Sequence, residues 1–124
     1  MIAVDTCVVI AFLQGDSGPD VDAFATLLAS EQAVLAPSAV TELLSDPRGG
    51  PATADVVGKL KQIALEAGYW ERAGGTRAAI RRTGRKAALG DALIAQACID
   101  AGIPLLTRDS DFKAFESLTG LKLA

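Results

Sequence analysis

Leu89-Gly-Asp-Ala-Leu-Ile-Ala-Gln-Ala-Cys-Ile-Asp-Ala-Gly-Ile-Pro-Leu-Leu-Thr-Arg-Asp109 holds a helix, its stop, a strand and an acid at the strand's end, in that order. Leu89–Ala101 is apolar nearly all round, which is the composition of a helix buried in the middle of a domain. Gly102 supplies the residue that ends such a helix. Leu105-Leu106 then reads as a short buried strand, and Asp109 falls just past it. One helix–strand unit of this kind predicts an α/β fold, because the buried helix needs a sheet to lie against.

The rest of the chain repeats the alternation. Ile2–Val4 reads as a buried strand ending at Asp5, and Thr6–Leu13 continues as a helix. Gln14–Asp20 is a loop rich in Gly, Pro and Asp. Val21–Ser30 is predicted helical, with Val21, Phe24, Leu27 and Leu28 on one face. Ala33–Ala36 is a strand. Pro37-Ser38 opens the next helix, with Ser38 as its cap and Val40, Leu43 and Leu44 facing inward. Asp46–Pro51 is a turn. Thr53–Ala67 is predicted as one helix ended by Gly68, with Val56, Val57, Leu60, Ile63 and Ala64 as its stripe. Tyr69-Trp70 reads as a short strand, Ala73–Lys86 as an Arg-rich helix, Asp109–Phe115 as a turn into a helix, and Leu121–Leu123 as a terminal strand. Together they predict a single domain over residues 1–124, a three-layer α/β sandwich with a mostly parallel central sheet.

Four acids stand in apolar settings: Asp5 after Met1-Ile-Ala-Val4, Glu42 in Ser38-Ala-Val-Thr-Glu-Leu-Leu44, Asp91 at the start of the buried helix, and Asp109 after the last strand pair, with Asp111 two residues on. Asp5 and Asp109 follow strands, where α/β sheets collect ligands. Taken singly, each has an ordinary explanation: Asp5 and Asp91 as helix caps, Asp109 and Asp111 as turn residues, Glu42 as an exposed helix residue. Taken together they are carboxylates that would repel one another and take up protons unless a cation sat among them. The chain has no histidine, so an all-oxygen site for Mg²⁺ or Mn²⁺ fits better than a zinc site.

The net charge of −3 is unevenly spread. Residues 71–86 carry Arg72, Arg77, Arg81, Arg82, Arg85 and Lys86 against Glu71, a local +5 that leaves −8 on the remainder. A basic segment beside an acidic cluster suits a metal-dependent nuclease, the first holding phosphates and the second metal. The alternative is a solvated Arg-rich helix face. No apolar run approaches a membrane span, and the N-terminus lacks the basic region of a secretory signal. Cys7 and Cys98 lie in hydrophobic runs and read as reduced core thiols, the pattern of a cytoplasmic protein.

Val4-Asp5-Thr6, Ser38-Ala-Val-Thr-Glu42, Gly90-Asp91-Ala-Leu-Ile-Ala95 and Leu106-Thr-Arg-Asp-Ser-Asp-Phe112 resemble, in order and over essentially the whole chain, the motifs of the PIN domain. The size and short loops are similar to the VapC-like toxins of toxin–antitoxin pairs. The resemblance implies that Asp5, Glu42, Asp91 and Asp109 form the family's acidic quartet, with Asp111 as an accessory acid. It implies that Thr6 and Thr107 line the site and that Arg85 is the basic residue before the third acid. Cys7 stands where a serine is frequent. The implied activity is a metal-dependent endoribonuclease. Asp5, Asp91 and Asp109 are expected to bind metal, and Glu42 to act through water. Arg77, Arg81, Arg82 and Arg85 are expected on the RNA. Expected partners are a VapB-like antitoxin, whose apolar side would lie on Phe12, Leu13, Phe24, Leu28, Leu43 and Leu44, and a second copy of the chain.

Three other readings fit parts of the pattern. A stand-alone PIN ribonuclease in RNA processing keeps the chemistry without the antitoxin. A phosphoacceptor or phosphatase α/β domain uses an Asp at a strand end. Its common form requires a second Asp two residues after the first, and Cys7 stands there. A non-catalytic RNA-binding module would not need the intact acidic quartet.

Overall fold

Successive residues of a strand point to opposite faces of its sheet, so a strand buried at every position must be covered on both sides. Ala33, Val34 and Leu35 are all buried, as are Ala3 and Val4. This is how the sandwich declares itself in the computed structural model, which describes all of residues 1–124. The elements in chain order are β1 (Ile2–Val4), α1 (Thr6–Leu13), α2 (Pro19–Ala29), β2 (Ala33–Leu35), α3 (Pro37–Ser45), α4 (Pro51–Lys59), β3 (Lys61–Gln62), α5 (Tyr69–Arg82), α6 (Leu89–Ala101), β4 (Leu105–Leu106) and α7 (Phe112–Leu118).

The four strands pair in parallel in the order β3-β2-β1-β4. Ile2 lies against Ala33, and Ala3 against Leu105. From β1 the chain steps outward through β2 to β3, then returns to lay β4 on the other side of β1. The order therefore reverses between β1 and β4, and the crevice beyond their carboxyl ends is where such sheets bind ligands. Past β4, the predicted terminal strand is a single parallel bridge between Leu105 and Leu123. The core gathers Phe24, Phe112, Phe115, Leu35, Leu43, Ile80 and Ile94, all essentially inaccessible.

Helix α6 has the predicted bounds. From Ala92 to Cys98 every residue except the half-buried Leu93 is buried, as its composition requires. Gly102 ends it in the left-handed region, at φ +66°. A polar chain fixes α5 against α6: Thr76 donates to Gln96 at 2.5 Å, Gln96 to Asp100 at 2.8 Å, and Arg72 pairs with Asp100 at 2.7 Å.

Several local expectations are corrected. Helix α4 stops at Lys59, and Lys61-Gln62 form β3, with Ile63 donating to the Leu35 carbonyl at 2.9 Å. Leu60 and Ile63 are buried with Val56, so their spacing mimics a helical stripe. An exposed polar pair such as Lys61-Gln62 shows no strand alternation, and charged, short edge strands are the usual safeguard against edge pairing. Gly68 begins a helix instead of ending one, at φ +84°, and a Cβ there would come within 2.6 Å of Arg72 Nη1. Tyr69-Trp70 are the first turn of α5, not a strand. Ser38 does not cap α3. Pro37 occupies the first helical position after Ala36, and the Ser38 Oγ has no hydrogen-bond partner. Leu44, expected to face inward from α3, is 56 % exposed, and Phe24 and Leu43, expected on the partner groove, are wholly inside, packed in the core.

Candidate metal centre

Asp5 is the one buried carboxylate of the chain, 4 % exposed, held by the turn from β1 into α1. Its Oδ2 accepts from the Thr107 hydroxyl at 2.7 Å and from the Cys7 thiol at 3.0 Å, and its Oδ1 from the Thr6 hydroxyl at 3.4 Å. A buried carboxylate needs such donors to stay in the fold. The loop after β4 is built on Thr107 as well: the Asp109 N–H donates to its Oγ1 at 3.0 Å, and the Asp111 N–H donates to Asp109 Oδ1 at 2.9 Å. This turn folds Asp111 back beside Asp109.

Asp91 comes to the same place from the first turn of α6. Asp91, Asp109 and Asp111 each offer a carboxylate oxygen, and these atoms lie within 4.8 Å of one another. Asp111, read as accessory in the sequence, stands as close in this group as the other two. Glu42 projects from α3 toward the start of α6, where a Cβ on Gly90 would sit 3.3 Å from its Oε1. Glycine at 90 leaves room for that approach.

The electrostatics are those of crowded like charges. Burial, then Asp5, Asp109, Asp111 and Glu42, raise the Asp91 pKa to about 6. Burial and then Asp5 also raise Glu42, partly offset by the Thr6 hydroxyl. Only one cation reaches the cluster, Lys86, whose Nζ is 3.5 Å from Asp111 Oδ2. Arg108 lies in the same loop but is turned away, bound to Asp20 at 2.6 Å. Carboxylate oxygens at this spacing, under-neutralised and held by backbone and hydroxyl donors, fit a hard divalent cation.

The basic segment divides in two. Arg77 donates to the Ala87 carbonyl at 2.9 Å, and Arg85 to Ser117 at 3.1 Å, so both brace the loop before α6. Arg81 and Arg82 are exposed at the end of α5 and carry no ion pair. Two residues near the acids escape the sequence reading of the site. Lys86 is hidden in a run of cations, and only its loop brings it to Asp111. Cys7 looks like an inert core thiol. Its place two residues after Asp5, in the first turn of a helix, is the available signal. Burial and Asp5 push its thiol up to about 12, so it stays a neutral donor.

A family model for the PIN domain matches residues 2–118. The chain belongs to the PIN domain family. Solved structures share the fold of this PIN domain. VapBC2 from Rickettsia felis, bound to a DNA fragment from its promoter, aligns with a TM-score of 0.73 at 19% identity, over 100% of this chain and 98% of that one. FitAcB from Neisseria gonorrhoeae aligns with a TM-score of 0.71 at 19% identity, over 99% of this chain and 96% of that one. FitAB bound to the IR36 DNA fragment aligns with a TM-score of 0.72 at 18% identity, over 100% and 94%. None of the curated proteins compared matches this PIN domain. None of its helices is long and apolar enough to cross a membrane.

Proposed function

We propose that this PIN domain is a metal-dependent endoribonuclease and the toxin of a VapBC-type pair. The observation that carries the chemistry is the convergence of Asp91, Asp109 and Asp111 within 4.8 Å, beyond the strand ends, with Lys86 as their only cation. These three carboxylates, with Asp5 behind them, would hold Mg²⁺ or Mn²⁺. When bound, such an ion polarises a phosphoryl oxygen, lowers the pKa of water and shields the leaving oxygen.

The protein's own groups do the rest. Thr107 and Cys7 keep Asp5 oriented, and the backbone turn keeps Asp109 and Asp111 together. Glu42 is more basic than an ordinary carboxylate because of burial and Asp5, so it is suited to orient the attacking water and take its proton. The water oxygen adds to phosphorus, the P–O3′ bond breaks, and the leaving oxygen takes a proton from solvent. The products carry a 5′-phosphate and a 3′-hydroxyl. Arg81 and Arg82 hold flanking phosphates. Nothing in this step uses the 2′-hydroxyl, so preference for RNA comes from shape and contacts outside the acids.

The toxin reading is supported by the fold shared with VapBC2 and FitAB. An antitoxin segment with an apolar side and a basic residue would block the acids by competing with metal. A second copy of the chain is the other proposed partner. Incubation of the purified protein with total cellular RNA, with chelator, Mg²⁺ or Mn²⁺, followed by end mapping, tests the chemistry. Cleavage that persists undiminished in chelator defeats it. Co-expression with the adjacent small reading frame tests the partner. Absence of any complex, together with harmless expression, leaves a stand-alone PIN ribonuclease as the reading.

A further inference from the structure

Beside the acids, a surface hollow of about 490 Å³ opens between α3 and the first turns of α5 and α6. It shares Glu42 and Gly90 with the acidic site, and its other wall includes Trp70, Leu89 and Leu93. Trp70 is 64 % exposed and Leu89 60 % exposed, although both stand next to a charged cluster where polar residues would be expected. Trp70 is also held in place. Its ring packs edge-to-face on Tyr69 at 4.9 Å, and the buried Tyr69 donates its hydroxyl to the Leu93 carbonyl at 2.5 Å. A rigidly seated, exposed aromatic ring that shares a hollow with Glu42 is open to a ligand lying across the acids.

The lining selects its occupant. Glu42 is its only charged residue, so the hollow does not suit a phosphate. The same hollow presents the hydroxyls of Thr41 and Ser45, both on exposed residues of α3. An aromatic plane with hydroxyls nearby suits a flat, uncharged group with a polar edge. A nucleic-acid strand whose phosphate lies at the acids must place its next base along an adjoining surface, and the hollow adjoins them through Glu42.

We propose that Trp70 is the stacking platform for an unpaired RNA base next to the scissile phosphate. This makes Trp70 a specificity-determining residue for the reaction proposed above, and it rests on that reading. Base–aromatic stacking tolerates any base but requires that the base be unpaired, so the hollow favours single-stranded segments over duplex.

Trp70 is the only tryptophan of the chain, so its emission reports on the hollow alone. A short mixed-sequence single-stranded oligoribonucleotide is titrated into the uncleaving Asp91→Asn protein, and separately as a duplex with its complement. The single strand should quench the emission saturably and the duplex should not. In the same background Trp70→Ala should weaken single-strand binding by about 5- to 150-fold, the equivalent of one lost stack, while Trp70→Phe keeps most of it. With Asp91 restored, Trp70→Ala should raise KM for RNA and leave kcat nearly unchanged. An unquenched Trp70, with single-strand affinity unchanged by Trp70→Ala, overturns the inference while leaving the nuclease standing if the wild type cuts RNA. Loss of a dimer in sedimentation on Trp70→Ala, with RNA affinity unchanged, also overturns it and assigns the hollow to an interface between copies. Failure of the wild type to bind or cut RNA defeats both readings.

Discussion

The Thr107 hydroxyl donates to Asp5 Oδ2 at 2.7 Å, tying the end of β4 to the end of β1. The two strands are neighbours at the point where the sheet order reverses, so this bond closes the crevice in which the acids meet. The same oxygen accepts from the Asp109 N–H. One side chain therefore sets both an acid's orientation and the path of the loop that carries two others.

Thr107→Val keeps the shape and removes the hydroxyl. The expected outcome is a loss of about 10- to 100-fold in cleavage or metal affinity, the usual cost of removing a group that orients a ligand. Thr107→Ser should restore most of it. Single-turnover cleavage rates and a metal titration measure this, with circular dichroism to verify folding. A Val variant as active as wild type would show that Asp5 is oriented without Thr107.

Removing charge from the acids should separate them. Asp91→Asn and Asp5→Asn should stay folded and lose cleavage by orders of magnitude. Asp111→Asn should cost less, because its side chain is 38 % exposed and already leans on Lys86. Near-wild-type activity in the folded Asp91 and Asp5 variants would displace the reaction from this site.

The α/β frame was legible wherever burial was continuous. Ile2–Val4, Leu89–Ala101 and Leu105-Leu106 have the expected bounds because an apolar run between a turn and an acid leaves little choice of structure. What could not be read was set by neighbours distant in sequence. Lys61-Gln62 becomes a strand only because the β2 edge offers Leu35 as a partner. The four motif acids were visible singly, as polar residues in apolar surroundings. That Asp111 stands level with Asp91 depends on a backbone turn, and that Lys86 reaches it depends on a loop. Neither has a periodicity. Trp70 looked like part of a strand, so its exposure beside Glu42 could not be seen.

The crowded carboxylates should make the metal-free protein less stable at neutral pH. Asp91 keeps its proton up to about pH 6 when folded, while an unfolded Asp releases it near pH ~3.9. Between those values the folded state binds more protons, so stability falls as pH rises through that window and stays lower above it. The carboxylates of Asp20, Asp46 and Asp100 are shifted downward by their arginines and remain ionised there. In chelator, the wild type should therefore melt at a higher temperature at pH 5 than at pH 7. Asp91→Asn should melt above the wild type at pH 7, with the gap narrowing toward pH 5. Mg²⁺ should stabilise the wild type at pH 7 and have much less effect on Asp91→Asn. A metal-free melting temperature that is flat or rising from pH 5 to 7 contradicts the crowding.

Arg81 and Arg82 close the basic helix with no carboxylate partner, whereas Arg72 is occupied by Asp100 and Arg77 by the Ala87 carbonyl. Free cations release counterions when they meet phosphates. Each such contact on a single strand contributes about 0.7 to the slope of log affinity against log salt. Arg81→Ala with Arg82→Ala should thus weaken RNA binding most at low salt and flatten that slope by about 1.4 if both touch phosphate. Arg72→Ala should instead lower the melting temperature, because it leaves Asp100 with Gln96 but no cation at the α5–α6 contact, and leave the slope nearly intact. Binding isotherms of the Asp91→Asn background over a range of salt concentrations measure both. An unchanged slope in the double variant would return this segment to an ordinary solvated helix face and require the strand to run elsewhere.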